Sequence, residues 1–264
     1  MKLQIQGPTS RYWAALGVLL LLLAWQIAAQ RLGSLLMATP WQTLQALVQL
    51  LGSGEEFHQH GEFHQHGLVT LGRIGLGVSL GCTLGFCLGV LAGLDARLRG
   101  LLEPLRWLLM AIPPVVVVVL AMLWFGLGSA MVVFISVLML APGMYVNTVK
   151  GMLLVDRGLV EMAHVYRLGS WQRLRYLYVP ALAAPLTAAL LIAACGGVRL
   201  VVMAEVLGAD SGVGFALANA RSTFDSAGLY AWTLLLLLLV AGLEFSLLQP
   251  LQRYLSRWQV AAHA

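Results

Sequence analysis

Apolar runs of about twenty residues recur six times along the chain, at approximately 12–30, 72–94, 105–125, 129–149, 181–203 and 228–248, and polar segments separate them. A helix rises about 1.5 Å per residue and the hydrocarbon core of a bilayer is about 30 Å thick, so each run is long enough to cross it. Composition points to the same solvent: 60% of the residues are hydrophobic and 10% charged, where soluble domains carry about 25% charged residues. The expectation is an all-α polytopic membrane protein of about six transmembrane helices, forming a single domain over 1–264. Lys2 and Arg11 precede the first run, Trp13–Ala29, in the manner of a signal peptide. That run exceeds a usual h-region and no clear A-x-A site closes it, so it is expected as a retained first helix.

The net charge of +5 does not point to nucleic acid, because the basic residues lie in short segments between apolar runs, where they set membrane orientation. With the N-terminus inside, the cytoplasmic segments hold Lys2, Arg11, Arg97, Arg99, Lys150, Arg157, Arg167, Arg173, Arg175, Arg253 and Arg257, against mainly Arg31 and Arg221 outside. Both termini are then expected in the cytoplasm. The three cysteines, Cys82, Cys87 and Cys195, lie inside apolar stretches without CxxC spacing and read as small packing residues.

Two segments exceed mere connectors. The outer one, 31–71, contains Leu44, Leu47, Val48 and Leu51 at helical spacing, which predicts a short amphipathic helix on the membrane surface or packed on the bundle. It also holds a direct repeat, Glu56-Phe57-His58-Gln59-His60-Gly61 and Glu62-Phe63-His64-Gln65-His66-Gly67. In an extended chain His-x-His puts both imidazoles on one face, so His58, His60, His64 and His66 form a candidate site for zinc, nickel or copper. A duplication in a tolerant loop explains the repeat equally well, and the spacing is not that of a closed zinc site. In the second apolar run Gly77, Gly81, Gly85, Gly89 and Gly93 fall at i+4 steps. They form a smooth stripe suited to close helix packing, or to sliding in a moving transporter.

Pro113 and Pro114 remove backbone donors within the third run, giving either a kink at a helix entry or a shaped pathway. Arg199 and Glu205 are the clearest ionisable residues at a span, candidates for a path or gate. Six residues apart, they do not share a helix face.

The inner segment, 150–180, reads as a short helix, a turn near Gly169 and a second helical stretch ended by Pro180. Such a pair can present a knob to a cytoplasmic partner or lay basic residues on lipid phosphates. Glu161-Met162-Ala163 followed by Leu177-Tyr178-Val179-Pro180 resembles the EAA signature of ABC importer permeases. Counting from Glu161 puts Arg167 where that family has glycine, with Gly169 two residues later. Ile112-Pro113-Pro114, Leu123 to Gly128, Asn147-Thr148, Asp156 to Glu161, Ala204-Glu205 and Ser211-Gly212-Val213-Gly214-Phe215 are similar to the nitrate, sulfonate and taurine type of these permeases, over roughly residues 40–258.

The resemblance implies a type I importer fold and a permease that translocates a small solute, either an anion such as a sulfonate, taurine or nitrate, or a related metabolite. It implies a homodimer, two cytoplasmic ABC ATPase subunits that use ATP and Mg, and an extracytoplasmic solute-binding protein. Gly158, Glu161, Met162, Ala163, Arg167, Gly169 and Pro180 then belong to the loop that couples to the ATPase. The chain itself is expected to bind no cofactor and to be a transport subunit rather than an enzyme. Its only lysines, Lys2 before Leu3 and Lys150 before Gly151, do not complete a P-loop. An ion-coupled secondary transporter is the alternative, but no two-half repeat or central acidic cluster supports it. A metal-related membrane protein is another, without HExxH.

Overall fold

The computed structural model describes residues 8–33, 36–51 and 62–243, and among them every regular element is helical. In chain order these are α1 (Pro8–Leu32), α2 (Pro40–Leu51), α3 (Glu62–Leu94), α4 (Ala96–Ala111), α5 (Pro114–Phe125), α6 (Ser129–Leu153), α7 (Arg157–Val165) and α8 (Ser170–Arg173). A π-helical stretch, Leu174–Tyr178, leads into α9 (Val179–Gly208), followed by α10 (Val213–Ser222) and α11 (Ser226–Leu243). Four helices contain segments long and apolar enough to span: Ala15–Leu32, His66–Leu94, Ser129–Leu153 and Pro185–Gly208. The sixth expected run gives the shorter apolar helix Ser226–Gly242.

The third expected span is not one straight helix: α4 and α5 meet at a bend of 101°. Pro113 stands at the N-cap of α5 and Pro114 inside its first turn, where a missing N–H costs nothing. The twelve residues of α5 rise only about 18 Å, short of the hydrocarbon thickness. A second boundary also shifts. Residues 62–71, expected in the outer loop, are already the first turns of α3.

The chain divides into two compact units, one of residues 1–64 with 216–237 and one of 65–215 with 238–264. In the first, the expected amphipathic helix is present as α2. Thr39 and Gln42 cap it reciprocally, Gln42 N donating to Thr39 Oγ1 at 3.3 Å and Thr39 N to Gln42 Oε1 at 2.9 Å. Thr43 and Leu47 are buried, while Trp41, Leu44, Val48 and Leu51 form an exposed apolar stripe. Trp25 of α1 donates to the Ala38 carbonyl at 3.0 Å, and its ring stands 5.6 Å from that of Tyr230.

The second unit is built from rows of residues four apart. The glycine row of α3 lies on α6, with Gly77 against Ser136, Gly81 against Val137 and Leu140, Gly85 against Ala141 and Met144, Gly89 against Thr148, and Gly93 against Met152. The matching order shows that α3 and α6 run in one direction. α9 runs the opposite way, with Leu182 beside Gly151 and Gly197 beside Leu140. These are the relative directions that alternating spans require. The two hydroxyls in the contact are satisfied within α6, Ser136 Oγ to Val132 O and Thr148 Oγ1 to Met144 O, each at 2.8 Å. Close backbone approach supplies dispersion contact where lipid removes the hydrophobic drive between helices. Cys82 packs into this unit with Met144, Ala189 and Ala193, as its apolar setting suggests.

At Gly85 even a methyl group would strike the Ala141 carbonyl, whereas Gly75 has nothing within 4 Å. Gly85→Leu should therefore lower stability by about 1–3 kcal/mol through overpacking, and Gly75→Leu should not. Melting of the purified chain in mild detergent checks this, and equal melting temperatures for the two variants would refute a packing role for the stripe.

Candidate functional site

Where the rows of α3 and α9 end, a polar knot replaces the apolar packing. Arg73 stands four residues before Gly77, on the glycine face, and Glu205 completes the α9 row that runs Ala189, Ala193, Gly197 and Val201. Both charges are buried, and Arg73 Nη1 lies 2.8 Å from Glu205 Oε1. Among the described residues Arg73 makes five hydrogen bonds: Nε and Nη2 to Ser129 Oγ, Nη1 to Glu205 and to the Ser211 carbonyl, and Nη2 to Ser211 Oγ. Asp210 adds a charge 3.6 Å from Nη2. In a low-dielectric interior, only such complete pairing makes a charge tolerable.

The other atoms of the knot hold the turn that opens α10. Three consecutive amides are captured by side chains: Gly212 N donates to His66 Nδ1 at 2.9 Å, Val213 N to Thr70 Oγ1 at 2.8 Å and Gly214 N to Glu205 Oε2 at 3.0 Å. Thr70 also donates to the Glu205 carboxylate at 2.9 Å. Gly212 has φ +105°, and a Cβ at Gly214 would meet Glu205 Cβ and the Val202 carbonyl at 2.6 Å. Ala204-Glu205 and Ser211 to Phe215, separate motifs in the sequence, are thus one structure. A further bond, Gly128 N to Gly208 O at 3.2 Å, ties the corner before α6 to the end of α9.

Sequence reasoning named Glu205 but not its partner, having set Arg199 and Glu205 on different faces of the helix. Arg199 is exposed on α9 and forms no ion pair with Glu205, as their spacing on the helix requires. Arg73 and Thr70 were missed. The available signal was a lone arginine beside an apolar run, in i+4 register with five glycines. His64 and His66 lie on the helix α3, not on the extended chain for which the metal reading was made. His66 is committed to Gly212 through Nδ1, and its ring stands 5.9 Å from Phe215. His58 and His60 lie outside the described residues. Among the described residues no three His, Cys, Asp or Glu side chains gather as a metal site.

The loop of 150–180 forms a second, separate constellation. Asp156 Oδ1 accepts from Gly158 N at 2.7 Å and starts α7. The helix ends with Leu168 N bonded to the Ala163 carbonyl at 3.0 Å, the six-to-one bond of a Schellman turn. That turn needs a left-handed residue, and Arg167 supplies it with φ +49°. The turn sits at the EAA glycine position, not at Gly169, whose amide instead donates to Gln172 Oε1 at 2.9 Å. Ala163 is buried, so its small size serves the fit of the loop to its own chain. Glu161, Leu159, Met162, Val165 and Tyr166 are exposed, and Pro180 lies in the first turn of α9.

A chain of the MetNI methionine ABC transporter, solved in inward-facing conformations, shares the fold with a TM-score of 0.64 and 18% identity, over 81% of this chain and 97% of that one. The helical arrangement is therefore that of a type I ABC importer permease. Residues 85–258 match the family of binding-protein-dependent transport system inner membrane components, and this chain belongs to that family. Among curated relatives, the putative aliphatic sulfonates transport permease protein SsuC of Escherichia coli (strain K12) is 29% identical over 59% of each chain. The riboflavin transport system permease protein RibX of Chloroflexus aurantiacus is 32% identical over 57% of this chain and 56% of its own. The chain thus matches rather more than half the length of these two relatives. The taurine transport system permease protein TauC of Escherichia coli (strain K12) is 25% identical over 97% of this chain and 94% of its own.

Removing one partner of the buried pair leaves the other charge unpaired, at a cost of about 3–5 kcal/mol. Arg73→Met and Glu205→Leu should each destabilise the folded chain by that order. The double variant should lose clearly less than the two singles summed, and Arg199→Met should change little. Thermal unfolding of the four variants in detergent reads this cycle; additive losses would show that the pair is not the organising contact.

Proposed function

We propose that this chain is the membrane-spanning subunit of an ATP-driven importer in which two copies enclose the solute path. Two cytoplasmic ABC ATPases, using ATP and Mg, drive it, and an extracytoplasmic solute-binding protein delivers the solute. Both termini face the cytoplasm. The observation that carries the reading is the α7 loop: a short, internally capped helix holds Ala163 inward and presents Leu159, Met162 and Val165 to a surface rather than to its own core. An apolar face on a basic loop outside the spans fits a protein partner. Movement of that partner would push α7 and bias the bundle between two accesses.

A small organic anion, such as a sulfonate or taurine, or nitrate, is the solute class we favour, with riboflavin-like and other metabolites in the range of the relatives. Arg199 supports an anion. It is a cation exposed within the apolar α9 span Pro185–Gly208, and such residues face a water-filled cavity or a protein partner rather than lipid. The break at Pro113-Pro114 supplies irregular backbone of the kind tolerated beside a path.

The test is co-purification of the ATPase with the permease, together with solute-stimulated ATP hydrolysis in proteoliposomes. Met162→Glu and Glu161→Lys should reduce ATPase capture and stimulated hydrolysis at least several-fold, with normal membrane abundance, because both side chains are exposed. Arg199→Gln should lower uptake of the anion but leave ATPase capture intact. Full capture and coupling in both α7 variants would remove the loop from the drive mechanism.

A further inference from the structure

Between α3, α4 and α6 lies a cleft of about 250 Å³, larger than the ~150 Å³ apolar cavity that suffices to bind benzene. Its walls are aliphatic and aromatic, including Leu88, Leu102, Leu109 and Phe134, apart from two residues with polar heads, Arg106 and Tyr145. Tyr145 is 5% exposed, and its buried hydroxyl has no hydrogen-bond partner among the described residues. A buried phenol normally finds one. Arg106 lines the cleft together with Tyr145, and Arg99 stands seven residues before it on α4. The two arginines share a face of α4 with Leu102 and Leu109, seven and three or four residues apart. The other faces of α4 expose Leu101, Trp107 and Leu108, a surface suited to the bilayer interface.

We propose that this cleft is a binding site for one anionic membrane phospholipid. An acyl chain fills the apolar part, the phosphate lies on Arg99 and Arg106, and the Tyr145 hydroxyl donates to an oxygen of the glycerol ester. Charge complementarity selects the occupant: α4 carries Arg97, Arg99 and Arg106 against the single acidic residue Glu103, and basic pockets between helices hold anionic headgroups. Arg106 stays bonded to Glu103 through Nε, at 3.1 Å, and through Nη2. Its Nη1, 3.4 Å from the Met110 sulfur, faces only a weak acceptor that a phosphate oxygen can displace.

Native mass spectrometry of the purified full-length permease, titrated with phosphatidylglycerol or phosphatidylcholine of the same acyl chains, tests the site. The wild type should retain phosphatidylglycerol roughly thirtyfold more tightly, as about 1 kcal/mol for each of the two arginines near the headgroup implies. Arg99→Gln with Arg106→Gln should remove the preference, and Leu138→Trp, which occupies the cleft, should weaken both lipids. Tyr145→Phe should weaken lipid binding several-fold without lowering the melting temperature of the delipidated protein. Equal affinity of the wild type for the two lipids, or unchanged phosphatidylglycerol binding in the double arginine variant, would overturn the proposal. So would displacement of the lipid by inorganic phosphate alone. If Leu138→Trp instead converted a dimer to a monomer, the cleft would belong to a second copy of the chain.

Discussion

Helices immersed in lipid gain little from hiding apolar side chains from one another, because the surrounding acyl chains are equally apolar. What remains is the closeness of the backbones, and here that closeness rests on rows of residues four apart. Gly77, Gly81, Gly85, Gly89 and Gly93 of α3 meet α6 with no side chain between, so that Cβ atoms on them would touch Ser136, Leu140, Met144, Thr148 and Met152. The same spacing on α9 continues the pattern through Ala189, Ala193 and Gly197. Three helices are thereby brought together along their length.

The ion pair depends on this packing. Arg73 and Glu205 occupy the ends of two of the rows, and they meet only because the small residues beyond them let α3 and α9 lie close to α6. Once buried, both charges must be saturated, and the saturating groups come from four places in the sequence: Thr70, Ser129, Ser211 and the amide of Gly214. This accounts for the glycines after Glu205. Gly212 leaves room for the carboxylate and Gly214 for the Glu205 Cβ and the Val202 carbonyl, and the helix α10 starts directly upon the carboxylate, so that a site which would otherwise attract an external anion is filled by the protein's own side chain.

The loop of 150–180 shows that a motif position can keep its geometry while losing its usual residue. Arg167 takes the left-handed conformation that glycine adopts without cost, and the Schellman bond from Leu168 to Ala163 closes as it would with glycine. An arginine there carries about 1–2 kcal/mol of steric penalty. The bond of the helix end and the burial of Ala163 offset it.

Much of this architecture was legible in residue order alone. The apolar runs marked where the long helices form, although the third is broken at Pro113 and the sixth gives a shorter helix. The Leu44 to Leu51 periodicity gave α2, the glycine spacing marked the face of α3, and the EAA pattern marked the α7 turn. What sequence could not supply was anything set by the crossing of distant segments. The bend of 101° at Pro113 depends on the helices that receive α5, not on the prolines alone, which permit many angles. The partner of Glu205 is 132 residues away in the chain, and the nearer Arg199 faces outward because helical rotation over six residues turns it aside. That the Tyr145 hydroxyl has no partner among the described residues is likewise a tertiary fact: a tyrosine in an apolar run says nothing of whether its oxygen will find a donor or acceptor. Local sequence determined which helices form and which faces are smooth; only their packing decided which polar groups meet, since that requires the contacts of all neighbouring helices at once.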